Sequence, residues 1–307
     1  MLVNRELILV KVETTYNVDA LPTAADAVLV ESPSWANEGA KMIERANVKA
    51  TLGKDQGIFA GTLKSFTFDA EIKGSGVLGT PPEIAAVLRG CGLGETIVAL
   101  TSVAYGPVST GHESVTIYYY SDGILHKATG CRGNPSGNLE AGSIGKLSFT
   151  LTGHDAGVVD APLITPSYDS TVPAPVINVP FSIDGYLAII NALSFDMSNG
   201  LSTPTDMSSV DGYGEVIITA RDVGGSFDPE QVLLAAKDYI TEWKQGTKMA
   251  LSCGVIGSTI GNRYQLTMPG VYYREVGPGD RDGLRTYEIS YGATESSGDD
   301  EINLIFT

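Results

Sequence analysis

Cysteine is scarce. Cys91, Cys131 and Cys253 are the three in 307 residues, an odd and widely spaced set that cannot make a disulfide framework. No C-x-x-C pair occurs, which argues against a structural zinc site, so buried free thiols of a reducing compartment are expected. The three histidines, His112, His126 and His154, form no H-E-x-x-H or comparable ligand pair. Positive charge is also short: 20 Lys and Arg stand against 36 Asp and Glu, a net charge of −16. The basic residues are scattered, so the patch that anchors a sequence-specific nucleic-acid binder is missing. No apolar run nears the roughly 20 residues of a membrane helix. The opening Met1-Leu2-Val3-Asn4-Arg5-Glu6-Leu7 lacks the basic and apolar regions of a signal peptide, and none is expected.

Catalytic motifs are missing too. There is no G-x-S-x-G elbow and no G-x-x-x-x-G-K-[ST] loop. Gly74-Ser75-Gly76-Val77-Leu78-Gly79 does match G-x-G-x-x-G between an expected strand and helix. A dinucleotide site is nevertheless rejected. The preceding strand alternates, whereas a parallel-sheet strand is apolar on both faces. The helix opens only at Thr80-Pro81-Pro82, and the corresponding Gly224-Gly225-Ser226-Phe227 lacks the pattern. Asp280 and Asp282, and Asp299, Asp300 and Glu301, do not supply the ligand series of a calcium loop. A non-enzymatic protein with no cofactor and no metal is expected.

What the chain does have is glycine, 36 residues of it, and runs rich in Val, Ile, Thr and Tyr. These predict many strands and turns. In Leu63–Lys73, Phe66, Phe68, Ala70 and Ile72 alternate with polar residues, the pattern of a half-buried strand. Thr80-Pro81-Pro82-Glu83 then reads as a capping box with proline at the first helical position. Ile84, Val87, Leu88 and Cys91 supply a helical stripe that Gly90 and Gly92 end.

The same order returns later. Glu215–Val223 reads as a strand, and Asp228-Pro229-Glu230-Gln231 as a cap. Val232, Leu233, Ala236, Ile240 and Trp243 read as a helix stopped by Gly246. Hairpins are expected from Ser114–Tyr120 with Asp122-Gly123, and from Asn262–Met268 with Pro269-Gly270. Glycine-rich loops are expected at Gly130–Gly145 and Gly277–Gly283. Closing strands carry Leu147, Phe149 and Leu151, then Tyr287, Ile289 and Tyr291. Landmarks recurring in one order at the scale of a domain predict a duplication. The Pro-rich stretch Asp160–Pro180 reads as a stiff linker, with the boundary near residue 165. The expectation is a mainly β, sandwich- or barrel-like protein of two similar tandem domains, 1–165 and 166–307, with one short helix in each. A long polar segment precedes the repeated strand in each half: Ser34–Gly61 and Ser198–Gly212. The first holds Trp35, Met42, Ile43, Ile58 and Phe59, an apolar set suited to docking.

This order of elements resembles the tail tube proteins of long-tailed bacteriophages. The resemblance is carried by Leu63–Gly92 and Lys146–Thr152, with their counterparts Tyr213–Gly246 and Thr286–Tyr291. It implies a structural protein of the virion tail, assembled in the host cytoplasm, whose rings stack into a hollow tube that conducts DNA. Two fused tube domains imply a trimer with pseudo-six-fold symmetry and, by analogy, a flexible non-contractile tail. The implied partners are further copies of the chain, the tape-measure, terminator and distal tail proteins, and DNA passing non-specifically, with no membrane. Asp69, Glu71, Glu215 and Glu288 are the candidate acidic lining of the lumen. Trp35, Met42, Ile43, Ile58 and Phe59 are the candidate ring-stacking residues. The competing reading is a β-sandwich decoration or adhesin module, with Tyr118-Tyr119-Tyr120 as its aromatic patch.

Overall fold

A computed structural model describes residues 2–307. The first part of the chain contributes β1 (Glu6–Val12), β2 (Ala27–Val28), β3 (Val30–Glu38), β4 (Met42–Ile43), β5 (Ile58–Phe59), β6 (Leu63–Glu71), α1 (Ala85–Gly90), β7 (Leu93–Val98), β8 (Ser102–Pro107), β9 (Val115–Ser121), β10 (Ile124–Glu140) and β11 (Lys146–Asp160). The rest contributes β12 (Phe181–Ile183), β13 (Tyr186–Leu187), β14 (Ala192–Asp196), β15 (Gly200–Ser202), β16 (Ile217–Ala220), β17 (Gly224–Phe227), α2 (Tyr239–Gln245), β18 (Met249–Ile256), β19 (Tyr264–Arg281), β20 (Leu284–Ala293) and β21 (Asn303–Phe306). The fold is mainly β, with two short helices.

In the first part the strands pair in the order β1-β9-β10-β11-β6-β3, all antiparallel. β2, one residue before β3, pairs back to β1, so the chain itself rounds these strands into a barrel. In the second part the order is β12-β18-β19-β20-β17-β14, and β13, just before β14, pairs back to β12. Alternation explains the core: Phe66, Phe68, Ala70, Leu147, Phe149 and Leu151 are all buried, as are Ile289 and Tyr291. Ile84, Val87, Leu88 and Cys91 bury the stripe of α1, and all three cysteines are buried and unpaired.

Several expectations are corrected. The strand that pairs beside β20 as β6 pairs beside β11 is β17, whereas Glu215–Val223 yields β16, which pairs with β15 in a separate ribbon. The second helix starts at Tyr239, not after Asp228. Asp238 caps it by accepting from the Thr241 N–H, and Leu233 and Leu234 upstream are exposed. Asp228 instead accepts from the N–H groups of Asn191 and Ala192, so its capping chemistry serves a strand start. Thr80-Pro81-Pro82-Glu83 makes no side-chain cap for α1, because Glu83 turns inward. β19 runs straight through Pro269-Gly270, and the turn lies at Asp282-Gly283. Gly130–Gly145 and Gly277–Gly283 lie largely in β10 and β19 rather than in loops.

The glycines of β10 are needed for packing. A Cβ on Gly137 would stand 2.5 Å from the Phe195 ring. Phe195 belongs to β14, which pairs with the end of β10 from Ser136 to Glu140 and joins the two barrels into one sheet. β21 makes a second bridge, lying between β19 and β8, with β7 beyond. A third contact explains Gly74-Ser75-Gly76. Gly74 donates its N–H to Asn262 Oδ1 and Gly76 donates to Gly261 O. A Cβ on Gly74 would lie 2.2 Å from Gly261 O, so these glycines permit backbone to meet backbone.

After β11 the chain runs without regular strands from Ala161 to Ala174, and Leu163 and Ile164 cover Leu7, Leu9, Tyr118 and Tyr120 on the outside of the first barrel. Lys73 holds the next stretch by donating to Asp169 O at 2.9 Å, and it pairs with Glu83 at 3.2 Å with both side chains buried. Burial pushes the Glu83 carboxyl above its ordinary range, and Lys73 opposes that rise. Replacing Lys73 with Met leaves a buried carboxylate without its partner, which costs about 3–5 kcal/mol. A carboxyl raised in the folded state stabilises below its unfolded value and loses that contribution as pH rises. The cost of Lys73→Met is therefore expected to shrink as pH falls toward about 4. Denaturant unfolding across pH checks this, and a pH-independent cost would refute it.

Candidate assembly surfaces

Cross-strand neighbours share a face of a sheet, so the pairings alone show which polar residues stand together. Across β6, β11, β10, β14, β17, β20 and β19 one rank reads Glu71, Lys146, Asn138, Ser194, Ser226, Ser290 and Glu275. A second rank reads Glu31, Asp69, Ser148, Ser136 and Asp196. The opposite side of these strands carries Phe68, Phe149, Leu147, Leu139, Leu193 and Ile289 and is buried. The result is an uninterrupted polar face running across the joint between the barrels. Glu140 and Glu288, two residues along from Asn138 and Ser290, lie on it as well. Lys146 is its one base in these ranks and pairs with Glu31 at 2.7 Å.

Three of the candidate lumen acids, Asp69, Glu71 and Glu288, thus share this face. Glu215 does not join them. It lies ahead of β16 and pairs with Arg132 at 2.6 Å. Arg132 is buried and also donates to the carbonyls of His112, Glu113 and Val216. This anchor ties the strand beside the second arm to β10.

Two arms project from the barrels. In the first, Met42 pairs with Phe59 and Ile43 with Ile58. These four side chains are each more than half exposed, and Val48 and Leu52 beyond them are fully exposed. A two-stranded ribbon of this size is marginal alone, and exposed contiguous apolar surface marks an interaction site. Trp35 is not part of the arm. It sits in β3 opposite Phe66, with its ring 4.2 Å from that of His126. The segment expected from Ser34 thus begins inside β3, whose Pro33 is accommodated where the register shifts between Glu31 and Ser34. The second arm, Ser198–Gly212, carries fully exposed Met207 and Val210.

The arms meet at their bases. The Tyr213 hydroxyl donates to Gly39 O, Lys41 lies 4.1 Å over the Tyr213 ring, and a Cβ on Gly61 would clash with Asp211 O. Asp211 in turn accepts from His154 Nδ1 at 2.7 Å, and His154 Nε2 meets the Tyr16 hydroxyl at 3.0 Å. This Asp–His–Tyr series has the order of a nucleophile relay. Burial, however, pushes the Tyr16 phenol up to about 12, and its oxygen accepts the Val216 N–H. It works as a tie that fixes the arms to β11. Sequence gave no sign of it, because Tyr16, His154 and Asp211 are remote along the chain and meet only in the fold. His112 is used locally, with Nε2 against Val108 O, and burial lowers the His126 imidazole.

Burial works against the Asp211 charge, yet hydrogen bonds from Ser209, His154 and the Tyr213 N–H outweigh it and hold the carboxyl below its ordinary value. A lowered carboxyl stabilises above its unfolded value and loses that contribution as pH falls. Thermal stability is therefore expected to drop below about pH 4, and Asp211→Asn to remove part of that dependence. Identical acid profiles for the two proteins would refute the assignment.

Among the described residues no group of His, Cys, Asp and Glu is arranged to hold a metal ion, and no helix is long and apolar enough to cross a membrane. A family model described as phage tail tube protein matches residues 4–293. The search of curated proteins found no match.

Proposed function

The chain belongs to the phage tail tube protein family, a structural component of the virion tail, and on that footing we propose that it is two fused tube domains with their boundary near residue 165. Three copies close into a ring of six similar lobes, and rings stack into the hollow tube that conducts DNA. The recurring pairing order of the two barrels supports the fused reading. A sheet with open edges invites pairing with another chain, and closure into a ring satisfies all such edges at once.

The observation that carries the proposal is the polar face that crosses the internal joint without a break. Facing a lumen, Asp69, Glu71 and Glu288 present phosphate with like charge, and serine and asparagine between them offer small neutral contacts. DNA then slides without adsorbing. Glu215 is not part of this lining. Met42, Ile43, Ile58 and Phe59 of the first arm dock on the neighbouring ring, and Met207 and Val210 of the second arm reinforce that contact. Further partners are the tape-measure, terminator and distal tail proteins, and assembly takes place in the host cytoplasm.

Negative-stain electron microscopy of the concentrated protein, viewed end-on, tests the assembly. Hollow rings with three-fold symmetry and six lobes are expected. Monomers at every concentration, even with purified tail-tip complex added, would reject it. The lining is tested separately with Asp69→Lys, Glu71→Lys and Glu288→Lys combined. Tubes of this variant are expected to retain short duplex DNA that wild-type tubes release, with retention falling steeply as salt rises. Equal retention by both would place these side chains away from the DNA path.

A further inference from the structure

The joint between the two barrels predicts the joint between two copies of the chain. We infer that the free edge of β3 in one copy pairs with the free edge of β19 in the next, in the register that β14 and β10 use within the chain. The inference rests on the ring reading above and names the strands and residues that close it.

The equivalence follows from the pairings. Cys131 opposite Val115 corresponds to Val271 opposite Met249, and each is followed by the same irregularity, to Ala128 and to Met268. Gly133 opposite Leu151 then matches Tyr273 opposite Tyr291. One extra residue, Arg274, bulges from β19 at this point, so Asn134 opposite Thr150 matches Glu275 opposite Ser290. Gly137 therefore corresponds to Pro278, and Ser136 to Gly277. On the other side, Phe195 opposite Gly225 matches Trp35 opposite Phe66, and Asp196 opposite Gly224 matches Ala36 opposite Ser65.

Within the chain, Gly137 pairs with Phe195 and Ser136 with Asp196. Their equivalents are Pro278 with Trp35 and Gly277 with Ala36. In a single copy neither pair can form. β3 pairs with β6 alone, and β19 from Tyr272 to Arg281 pairs with β20 alone. The side chains report the vacancy. Phe195, covered at its joint, is 5% exposed, and Trp35, its equivalent at the open edge, is 39% exposed.

The two joints differ in one instructive way. Ala141 donates its N–H to Asn191 O, so Leu139 and Gly137, at alternate positions, also face β14. Tyr287 donates to Pro229 O, away from β19, so its partner Pro278 turns its own backbone to the free edge. Proline there lacks the N–H that Gly137 offers but keeps a carbonyl to accept the Trp35 N–H. An edge proline discourages arbitrary strands. The strand that compensates is one bringing a large ring to cover the pyrrolidine, and β3 brings Trp35.

Ala36→Cys with Gly277→Cys tests the register. A Cβ on Gly277 has nothing nearer than Glu288 O at 3.8 Å, so the substitution has room. The native cysteines are buried. Within one chain the two sites lie at opposite edges of the sheet, several strand spacings of about 4.8 Å apart. That is beyond the Cα separation of about 5.5–6 Å that a disulfide spans. Rings formed under reduction and then oxidised are expected to give covalent multimers up to the ring size on a non-reducing gel. Each single variant should stay monomeric. Ala36→Cys with Glu275→Cys, at an exposed position two residues out of register, should give at most a tenth of the product. Rings that show no cross-link, or equal cross-linking of both pairs, would overturn the joint and leave the ring reading standing. Absence of rings in the wild-type protein would overturn both. If the cysteines block assembly, Trp35 emission in Trp243→Phe protein reads the same contact. A blue shift on ring formation is expected, and an unchanged spectrum would overturn the joint.

Discussion

The short pairing of β10 with β14 is the constraint on which the rest of the molecule depends. It aligns two barrels so that their inner sides share one core, with Leu139 and Leu193 side by side, and their polar sides form one face. A slip of one residue would set Leu139 opposite Ser194, so that the core side of one barrel met the polar side of the other. The register is fixed sterically, since the Phe195 ring lies where any side chain at position 137 would be. Backbone hydrogen bonds supply the attraction at this joint, and the missing side chain supplies the specificity.

Around that joint the chain adds contacts of different physical kinds. β21 contributes a backbone ladder between β19 and β8. The Gly74–Gly76 loop contributes backbone packing against Gly261 and Asn262. Arg132, Tyr16 and His154 contribute a buried polar network that reaches Asp211 and Glu215. Buried networks of this kind are costly when half satisfied, which makes them good at holding one arrangement. Here that arrangement is the angle at which the two arms leave the barrels.

Much of this was legible in the sequence, for reasons that can be named. Strict alternation in Leu63–Lys73 and in Leu147, Phe149 and Leu151 identified strands buried on one face, and the stripe of α1 identified a helix. The failures share a cause. Glycine and proline suggest turns, yet Gly137 and Gly270 lie inside β10 and β19, where a ring or a neighbouring backbone fills the space beside them, and β19 carries Pro269 as well. Asp228 and Glu83 looked like caps because their types suit caps, but tertiary partners claimed their oxygens. The acidic face was half visible: Asp69 and Glu71 follow from the alternation of one strand, Glu288 from another. That they form one surface depends on a joint between residues far apart in sequence. Glu215 was misplaced with its strand.

β21 has a consequence in time as well as in space. Each barrel is built mostly from pairings within its own part of the chain, so the first can condense while the second is still being made. The outer edge of the β7–β8 hairpin is different: its partner is a strand separated from it by most of the chain's length. Contacts of that separation form late, because loop closure must precede their reward. Until then β8 presents an unpaired edge, the kind of surface on which incomplete chains recognise one another. The pairing of β21 with β8 therefore joins the two parts of the fold only once both have been made.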